Sequence, residues 1–170
     1  MDRELLLLGL LRQGDMHGYQ LHEFINQNMA SCVDLKKPTA YFLLDKMAES
    51  GWVTQIEGQE GNRPPRRIYQ LTSEGEAAFQ RLLRENLSMY NPARFPGDIG
   101  LAFLDALDPH EAITLLNTRR EAIQTELNNA ESVPQHPGSS QLIIEHLVRH
   151  LRTEITWLDE VLLRLQGDNH

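Results

Sequence analysis

The sequence predicts a mainly α-helical fold that contains one small two-stranded β-hairpin. Three observations support this prediction: helical apolar stripes fill residues 3–50, a strand–turn–strand pattern follows, and the second half is helical throughout. Hydrophobic residues make up 41% of the 170, which is enough to bury stable cores. We expect two domains, one over residues 1–90 that holds the hairpin and one over residues 91–170 that consists of helices.

The first three helices are predicted from apolar periodicity and from residues that start or stop helices. Residues 3–12 are apolar on most faces, which indicates a buried helix, and Gly14 follows its end. Residues 18–30 carry a second apolar stripe. Pro38 suits the first turn of a third helix, because its missing N–H has no partner there, and Gly51 suits the position just after the last turn.

The hydrophobic period changes from helical to alternating after the third helix. Residues 52–56 and 67–71 are strand-like, and the stretch between them contains glycines, prolines and basic residues. This pattern predicts a hairpin with a long tip. Thr72 or Ser73 can cap the helix that follows, which reaches about Tyr90.

The second half is predicted to be a linker followed by three helices. Residues 91–97 contain two prolines, and a short helix is expected over 98–107. Asp108 is a good N-cap for a long helix over 109–131, with proline at its first position. A last helix is expected over 140–165.

The last predicted helix has the clearest periodic pattern of the chain. Its apolar residues alternate spacings of four and three over three heptads, which is typical of a coiled-coil seam. They are Ile144, Val148, Leu151, Ile155, Leu158, Leu162 and Leu165. The seam either packs on its neighbour within one chain or also meets a second subunit, and we favour the second. The predicted dimer contacts are Leu7, Leu8, Leu151, Ile155, Leu158 and Leu162.

The formal net charge of −8 is unevenly distributed along the chain. Residues 91–170 carry 12 acidic against 6 basic side chains, whereas residues 36–67 carry 6 basic against 4 acidic. Distribution matters more than the sum for binding to nucleic acid. An acidic chain with one basic segment is therefore compatible with DNA binding.

The order helix–helix–helix–hairpin–helix is that of a winged helix-turn-helix domain. In this fold the N-terminal half of the third helix faces base edges in the major groove, and the hairpin tip approaches flanking phosphates. Basic residues occur at both places. The predicted contacts with double-stranded DNA are Lys36, Lys37, Thr39, Tyr41, Lys46, Arg63, Arg66 and Arg67.

Three runs of the first domain resemble the PadR family of bacterial transcriptional regulators. They are LGLLRQGDMHGYQLHEFI, TAYFLLDKMAESGWV and GNRPPRRIYQLTSEGEAAF, and together they span about residues 4–80. The second half, with its Glu154-x-x-Trp157-Leu158 end, is more loosely similar to the helical C-terminal domain of longer members. The resemblance implies a homodimeric regulator, usually a repressor, that binds a palindromic operator and that a small molecule or another signal releases.

One stretch departs from the pattern of the family. Members usually carry Ser-x-Gly-Ser/Thr-Leu/Ile-Tyr where the recognition helix begins, and this chain has KKPTAY over residues 36–41. Lysine replaces the serine, and proline replaces the glycine. Neither the base preference nor the first residue of the helix therefore carries over from the family.

Several candidate residues also have a purely structural explanation. Tyr41 either reaches a phosphate or packs under its helix. Trp157 either packs in a core or interface, which we favour, or lines a ligand pocket. His146 and His150 have the i, i+4 spacing of metal ligands, but no further ligand pattern accompanies them, so we expect no metal and no other cofactor. Cys32, a lone thiol, is expected to be inert.

The sequence argues against an enzyme, because it has no glycine-rich phosphate loop, no His-Glu-x-x-His and no nucleophile elbow. The alternative to a DNA-binding regulator is a protein-interaction module that has kept the winged helix and lost its affinity for DNA. The basic segment favours the regulator.

A single cysteine predicts a cytoplasmic protein. The apolar run over residues 5–11 is shorter than the roughly 20 residues that cross a bilayer, so we expect no membrane contact.

Overall fold

A computed structural model of the chain describes residues 2–28, 35–58 and 66–167, which fall into two compact units, Met1–Pro92 and Ala93–His170. The first unit contains α1 (Asp2–Leu11), β1 (Met16–His17), α2 (Gly18–Asn28), α3 (Lys37–Glu49), β2 (Val53–Gly58), β3 (Arg66–Leu71) and α4 (Ser73–Ser88). The second contains α5 (Asp98–Leu101), a 3-10 turn (Leu104–Ala106), α6 (Pro109–Ser132) and α7 (Ser140–Gly167). The predicted mainly helical fold with a small sheet is confirmed.

The antiparallel sheet has three strands in the order β1-β3-β2, whereas the sequence predicted two. β2 and β3 pair from Val53 opposite Leu71 to Gly58 opposite Arg66. The additional strand, β1, pairs Met16 with Tyr69 on the other edge of β3. Two residues are too few to show an alternating pattern, so only the pairing with β3 reveals this strand.

The core of the first unit forms where α1, α2, α3 and the sheet meet. Leu7 and Leu8 of α1 are completely buried, together with Leu21, Leu44 and Tyr69. The apolar N-terminal segment is thus a core helix, as its composition predicted. Among the described residues, no helix is long and apolar enough to cross a membrane.

The hairpin is fixed to α4 through Thr72 and Gly75. The Thr72 side chain accepts a hydrogen bond from the Gly75 N–H at 3.0 Å, so Thr72 is the helix cap. Its hydroxyl also donates to the Gly51 carbonyl at 2.6 Å. Its own N–H donates to the Trp52 carbonyl at 3.1 Å. One threonine therefore ties the start of α4 to the turn that follows α3.

The second unit is built on the pairing of α6 with α7. Asp108 caps α6 by accepting hydrogen bonds from the N–H groups of His110 and Glu111, as predicted. The core between the two helices contains Leu116, Leu158 and Leu162, whose side chains are buried or nearly so. Three ion pairs flank this core, Arg119–Glu154, Arg120–Asp159 and Arg152–Glu131, with N–O distances of 2.5, 2.5 and 2.6 Å. The hydrogen bond from Arg120 lowers the pKa of Asp159 below its ordinary value.

Candidate DNA interface

α3 presents one face to the core and the opposite face to solvent. Its buried residues are Ala40, Leu43, Leu44 and Met47. The row opposite to them, at spacings of four, three and four, consists of Pro38, Phe42, Asp45 and Glu49. In a winged helix this outer face is the one that enters the major groove.

Two adjacent lysines, Lys36 and Lys37, lie at the N-terminus of α3. The backbone of Lys36 is extended, with φ −69° and ψ 145°, and Pro38 lies in the first turn as predicted. Lys36 and Lys37 are exposed, Thr39 is half-buried, and Lys46 is exposed one turn before the helix ends. Unpaired N–H groups and the helix dipole favour anions at such a position, and the lysines add to this preference.

Tyr41 packs against the start of α2. If Gly18 carried a Cβ, it would lie 2.7 Å from Cε1 of the Tyr41 ring and 3.3 Å from its hydroxyl. His17 and Tyr19, on either side of Gly18, stack their rings on one another with centroids 5.5 Å apart. The His-Gly-Tyr motif therefore provides the surface on which the half-buried Tyr41 ring lies.

We expect Gly18→Ala to lower the free energy of unfolding by about 1–3 kcal/mol, the usual cost of forcing extra volume into a packed position. In a Tyr41→Ala background the same change should cost much less, because the ring that the new methyl group meets is absent. Urea unfolding of the four proteins measures the coupling energy, expected between about 0.5 and 3 kcal/mol. Strictly additive effects would show that this contact does not constrain the ring.

The hairpin contacts α3 through a cluster around Asp45. Arg67 of β3 donates from Nη1 to Oδ1 of Asp45 at 3.2 Å, and Gln55 of β2 donates from Nε2 to the same oxygen at 3.0 Å. Arg67 keeps 58% of its side-chain surface exposed. Exposed ion pairs of this kind contribute little stability. The guanidinium of Arg67 is therefore available to a phosphate that competes with Asp45.

The remaining hairpin predictions are only partly described. The structure gives the backbone of Arg66 at the start of β3, opposite Gly58. Arg63 lies outside the described residues, as does Cys32. The phosphate contacts predicted for Arg63 and Arg66 remain predictions.

The central strand contributes a buried phenol to the core behind the hairpin. Tyr69 of β3 is completely buried between its neighbours Met16 and Gln55 on the flanking strands. Burial raises the pKa of the Tyr69 hydroxyl above its ordinary value. In the Arg-x-Tyr-x-Leu-Thr-x-x-Gly run, Tyr69, Thr72 and Gly75 thus position the hairpin rather than face DNA.

The residues predicted at a dimer interface differ in how much surface they retain. Leu7, Leu8 and Leu158 are 0% exposed and belong to the apolar cores of their own units, so none of them has surface left for a second copy. We correct these three to core residues. Ile155 and Leu162 are also buried, and Leu151 is half-buried. Leu158 and Leu162 therefore pack against the neighbouring helix of the same chain, which is the first of the two alternatives for the seam.

Trp157 lies at the edge of α7 with 37% of its surface exposed. The Arg119 guanidinium lies 6.0 Å from the ring centroid, which is within the range of a cation–π contact. The Trp157 ring also lines an open groove of about 290 Å³ on α7, together with Arg152, Thr156 and Glu160. Trp157 is thus partly exposed at the surface, and the groove that it lines is open to solvent.

The two histidines with metal-ligand spacing, His146 and His150, are both exposed on α7. Across the described parts of the chain, no three His, Cys, Asp or Glu side chains are grouped so that they could hold a metal ion.

Comparison with known proteins identifies both halves of the chain. Residues 7–81 match the model of the transcriptional regulator PadR-like family. The first unit therefore carries the domain of the PadR-like family of transcriptional regulators. Residues 100–166 match a second family model, described as virulence activator alpha C-term. The resemblance seen in the sequence motifs is confirmed.

Relatives of known structure share the fold over nearly the whole length. The negative transcriptional regulator PadR of Bacillus subtilis is 20% identical over 175 residues, covering 95% of this chain and 96% of that protein. Its crystal structure with operator DNA matches with a TM-score of 0.83 at 17% identity, over 95% of this chain and 98% of that one. Its complex with p-coumaric acid matches with a TM-score of 0.77 at 18% identity, over 96% and 94%. At this identity the structural likeness shows a common fold.

Sequence reasoning missed two features of this surface. Asp45, which joins α3 to the hairpin, was not singled out, because its partners Gln55 and Arg67 are distant in sequence. Phe42, which is 66% exposed in the middle of the outer face, was also missed. The spacing of four from Pro38, on the face opposite the buried leucines, is the signal that could have found Phe42.

Proposed function

We propose that the chain is a homodimeric repressor that binds operator DNA with α3 in the major groove and the β2–β3 hairpin against flanking phosphates. The observation that carries the proposal is the solvent-facing side of α3. There the row from Pro38 to Glu49 lies opposite the buried face. Lys37 and Lys46 of this helix are exposed, as is Lys36 just before it. The fold it shares with PadR of Bacillus subtilis, solved on operator DNA, supports this placement. A protein with this role works in the cytoplasm, where bacterial operators lie.

The proposal assigns DNA binding to residues 1–90 and dimerisation to residues 91–170. The contacts proposed for DNA are Lys36, Lys37, Thr39, Tyr41, Lys46, Arg63, Arg66 and Arg67. For dimerisation we now combine Leu151 with apolar side chains that the second unit leaves exposed. These are Ile99, Phe103, Leu115, Leu142, Ile143 and Leu163.

We further propose that a small molecule weakens operator binding. The support is the p-coumaric acid complex of the Bacillus subtilis relative and, in this chain, the groove on α7 where Trp157 is exposed. An effector acts only if it prefers the DNA-incompetent state, with a typical coupling of about 5–150-fold in affinity. Titration of phenolic acids, followed by tryptophan fluorescence and by DNA affinity, tests this. A panel that never alters DNA affinity would leave regulation to protein level or to a partner.

Replacing Lys36 and Lys37 together with alanine tests the DNA proposal. We expect weaker binding to all duplex sequences, because phosphate contacts carry no sequence information. The slope of log affinity against log salt should become shallower by about one unit for each phosphate that the variant no longer neutralises. Fluorescence anisotropy with a labelled random duplex, measured at several salt concentrations, gives both quantities.

The matched control is Arg149→Ala with Arg164→Ala, which removes the same charge from exposed positions of α7. We expect its salt slope to equal that of the wild type. Equal slopes for all three proteins would refute the assignment of α3. A wild type without salt-dependent affinity for any duplex would instead favour the alternative, a protein-interaction module with a winged helix.

A further inference from the structure

Phe42 is an apolar residue on the solvent-facing side of α3, where polar and charged side chains are more usual. It exposes 66% of its surface, while the next two residues, Leu43 and Leu44, are buried. The apolar cluster that forms the core takes Ala40, Leu43, Leu44 and Met47 from α3 and does not include Phe42. The ring is therefore not needed to complete the core of its own unit.

Phe42 lies between an apolar and a basic residue along α3, and its row also carries the acidic Asp45 and Glu49. Pro38, four residues earlier, continues the apolar surface toward the helix start, and Lys46, four residues later, is exposed. Asp45 lies beside the ring on the same face, but its carboxylate is held by Arg67 and Gln55. The acidic group next to Phe42 is thus partly compensated by the hairpin.

An exposed apolar ring near lysines fits the edge of a thymine base in the major groove. The phosphates flanking the groove attract lysines, whereas the C5-methyl group of thymine is an apolar feature on a base edge. Phenylalanine is one of the side chains that contact this methyl group. Lysine contacts with phosphates carry no sequence information, so an apolar contact at the centre of the face adds base preference that they do not provide.

We propose that Phe42 contacts a thymine C5-methyl group in each half-site and so determines the base preferred at that position. The inference rests on the proposed function, because it requires α3 to lie in the major groove. It goes beyond that function by naming the residue and the chemical group that set one position of the operator. Removing one such methyl group should weaken binding about fourfold, as estimated from the free energy of burying a group of that size.

The experiment begins with enrichment of bound sequences from a random duplex library by the full-length chain. Each thymine of the enriched duplex is then replaced, one at a time, by deoxyuridine, which lacks only the methyl group. We expect one thymine per half-site to be sensitive, with about fourfold weaker binding by the wild type. Phe42→Ala should bind the thymine and uracil duplexes equally, and Phe42→Leu should retain part of the difference.

Phe95→Ala is the matched control, since Phe95 is 55% exposed and lies in the second unit, outside the proposed dimer contacts. It should keep the full preference for thymine. The exposure of Phe42 predicts that Phe42→Ala unfolds at nearly the wild-type urea concentration. The deoxyuridine series on the wild type requires no variant, so the absence of a sensitive thymine overturns the role of Phe42 even if one variant folds poorly, and Phe42→Leu provides a second variant for the assignment.

The outcomes separate the inference from the proposed function. A wild type that enriches no sequence and shows no salt-dependent binding overturns both. Enrichment without a methyl-sensitive thymine, or with one whose sensitivity survives in Phe42→Ala, overturns only the role of Phe42. A Phe42→Ala protein whose molar mass by light scattering changes while its thymine preference does not would assign the ring to a protein contact instead.

Discussion

Replacing Gly75 with alanine is expected to destabilise the first unit by about 3 kcal/mol or more. A Cβ at this position would lie 2.0 Å from the backbone oxygen of Trp52 and 2.7 Å from a methyl group of Leu71. A backbone carbonyl cannot move aside as a side chain does, so the clash separates α4 from the turn that Thr72 anchors. The sign of this effect is distinctive, because Gly→Ala inside a helix ordinarily stabilises by about 1 kcal/mol.

Gly100→Ala provides the matched control for this prediction. Gly100 is also helical, and a Cβ there would meet nothing within 4 Å. We expect Gly100→Ala to be neutral or slightly stabilising, whereas Gly75→Ala should shift the urea midpoint of the first unit strongly downward. If both variants unfold like the wild type, the close approach of α4 to Trp52 does not exist in solution.

Replacing Leu158 with aspartate is expected to unfold the second unit. Leu158 is 0% exposed and lies in the small core between α6 and α7, with Leu116 and Leu162. An aspartate there places an unpaired charge in an apolar environment, which costs at least several kcal/mol. That amount is comparable with the entire stability of a small unit. Helical circular dichroism should therefore fall, and limited proteolysis should cleave within residues 93–170.

Leu163→Asp is the matched control on the same helix. Leu163 is 68% exposed, so the same substitution should leave the helical signal nearly unchanged, as is usual for surface positions. If Leu163 also lies at the proposed dimer contact, the molar mass by light scattering will fall while the fold persists. A Leu158→Asp protein with full helical content and native resistance to proteolysis would place the core of this unit elsewhere.

Hydrogen bonds and close contacts within the first unit account for several motif residues. Gly18 receives the ring of Tyr41, Thr72 caps α4, and Gly75 allows the approach of Trp52. The proposed function leaves the reading of a base sequence to the outer face of α3. There this chain differs from the usual family pattern at positions 36 and 38, and there Phe42 lies exposed.

Local patterns in the sequence predicted the order of the helices and the hairpin and the resemblance to the PadR family. The roles of Asp108 and Pro38 depend only on residues nearby in the chain, so local rules predict them, and the same rules limited the cap of α4 to Thr72 or Ser73. Apolar periodicity predicted long helices for the same reason. The basic residues near the start of α3 could be located without knowing any distant contact.

Features that depend on residues far apart in the chain could be seen only in the folded structure. β1 exists only because it pairs with β3, and Asp45 matters only because Arg67 and Gln55 reach it. Periodicity showed that α7 has an apolar seam but not which part of the seam its own unit encloses. Packing decides this, because the free energy of burying a side chain such as Leu158 depends on which neighbours enclose it rather than on its spacing along the helix.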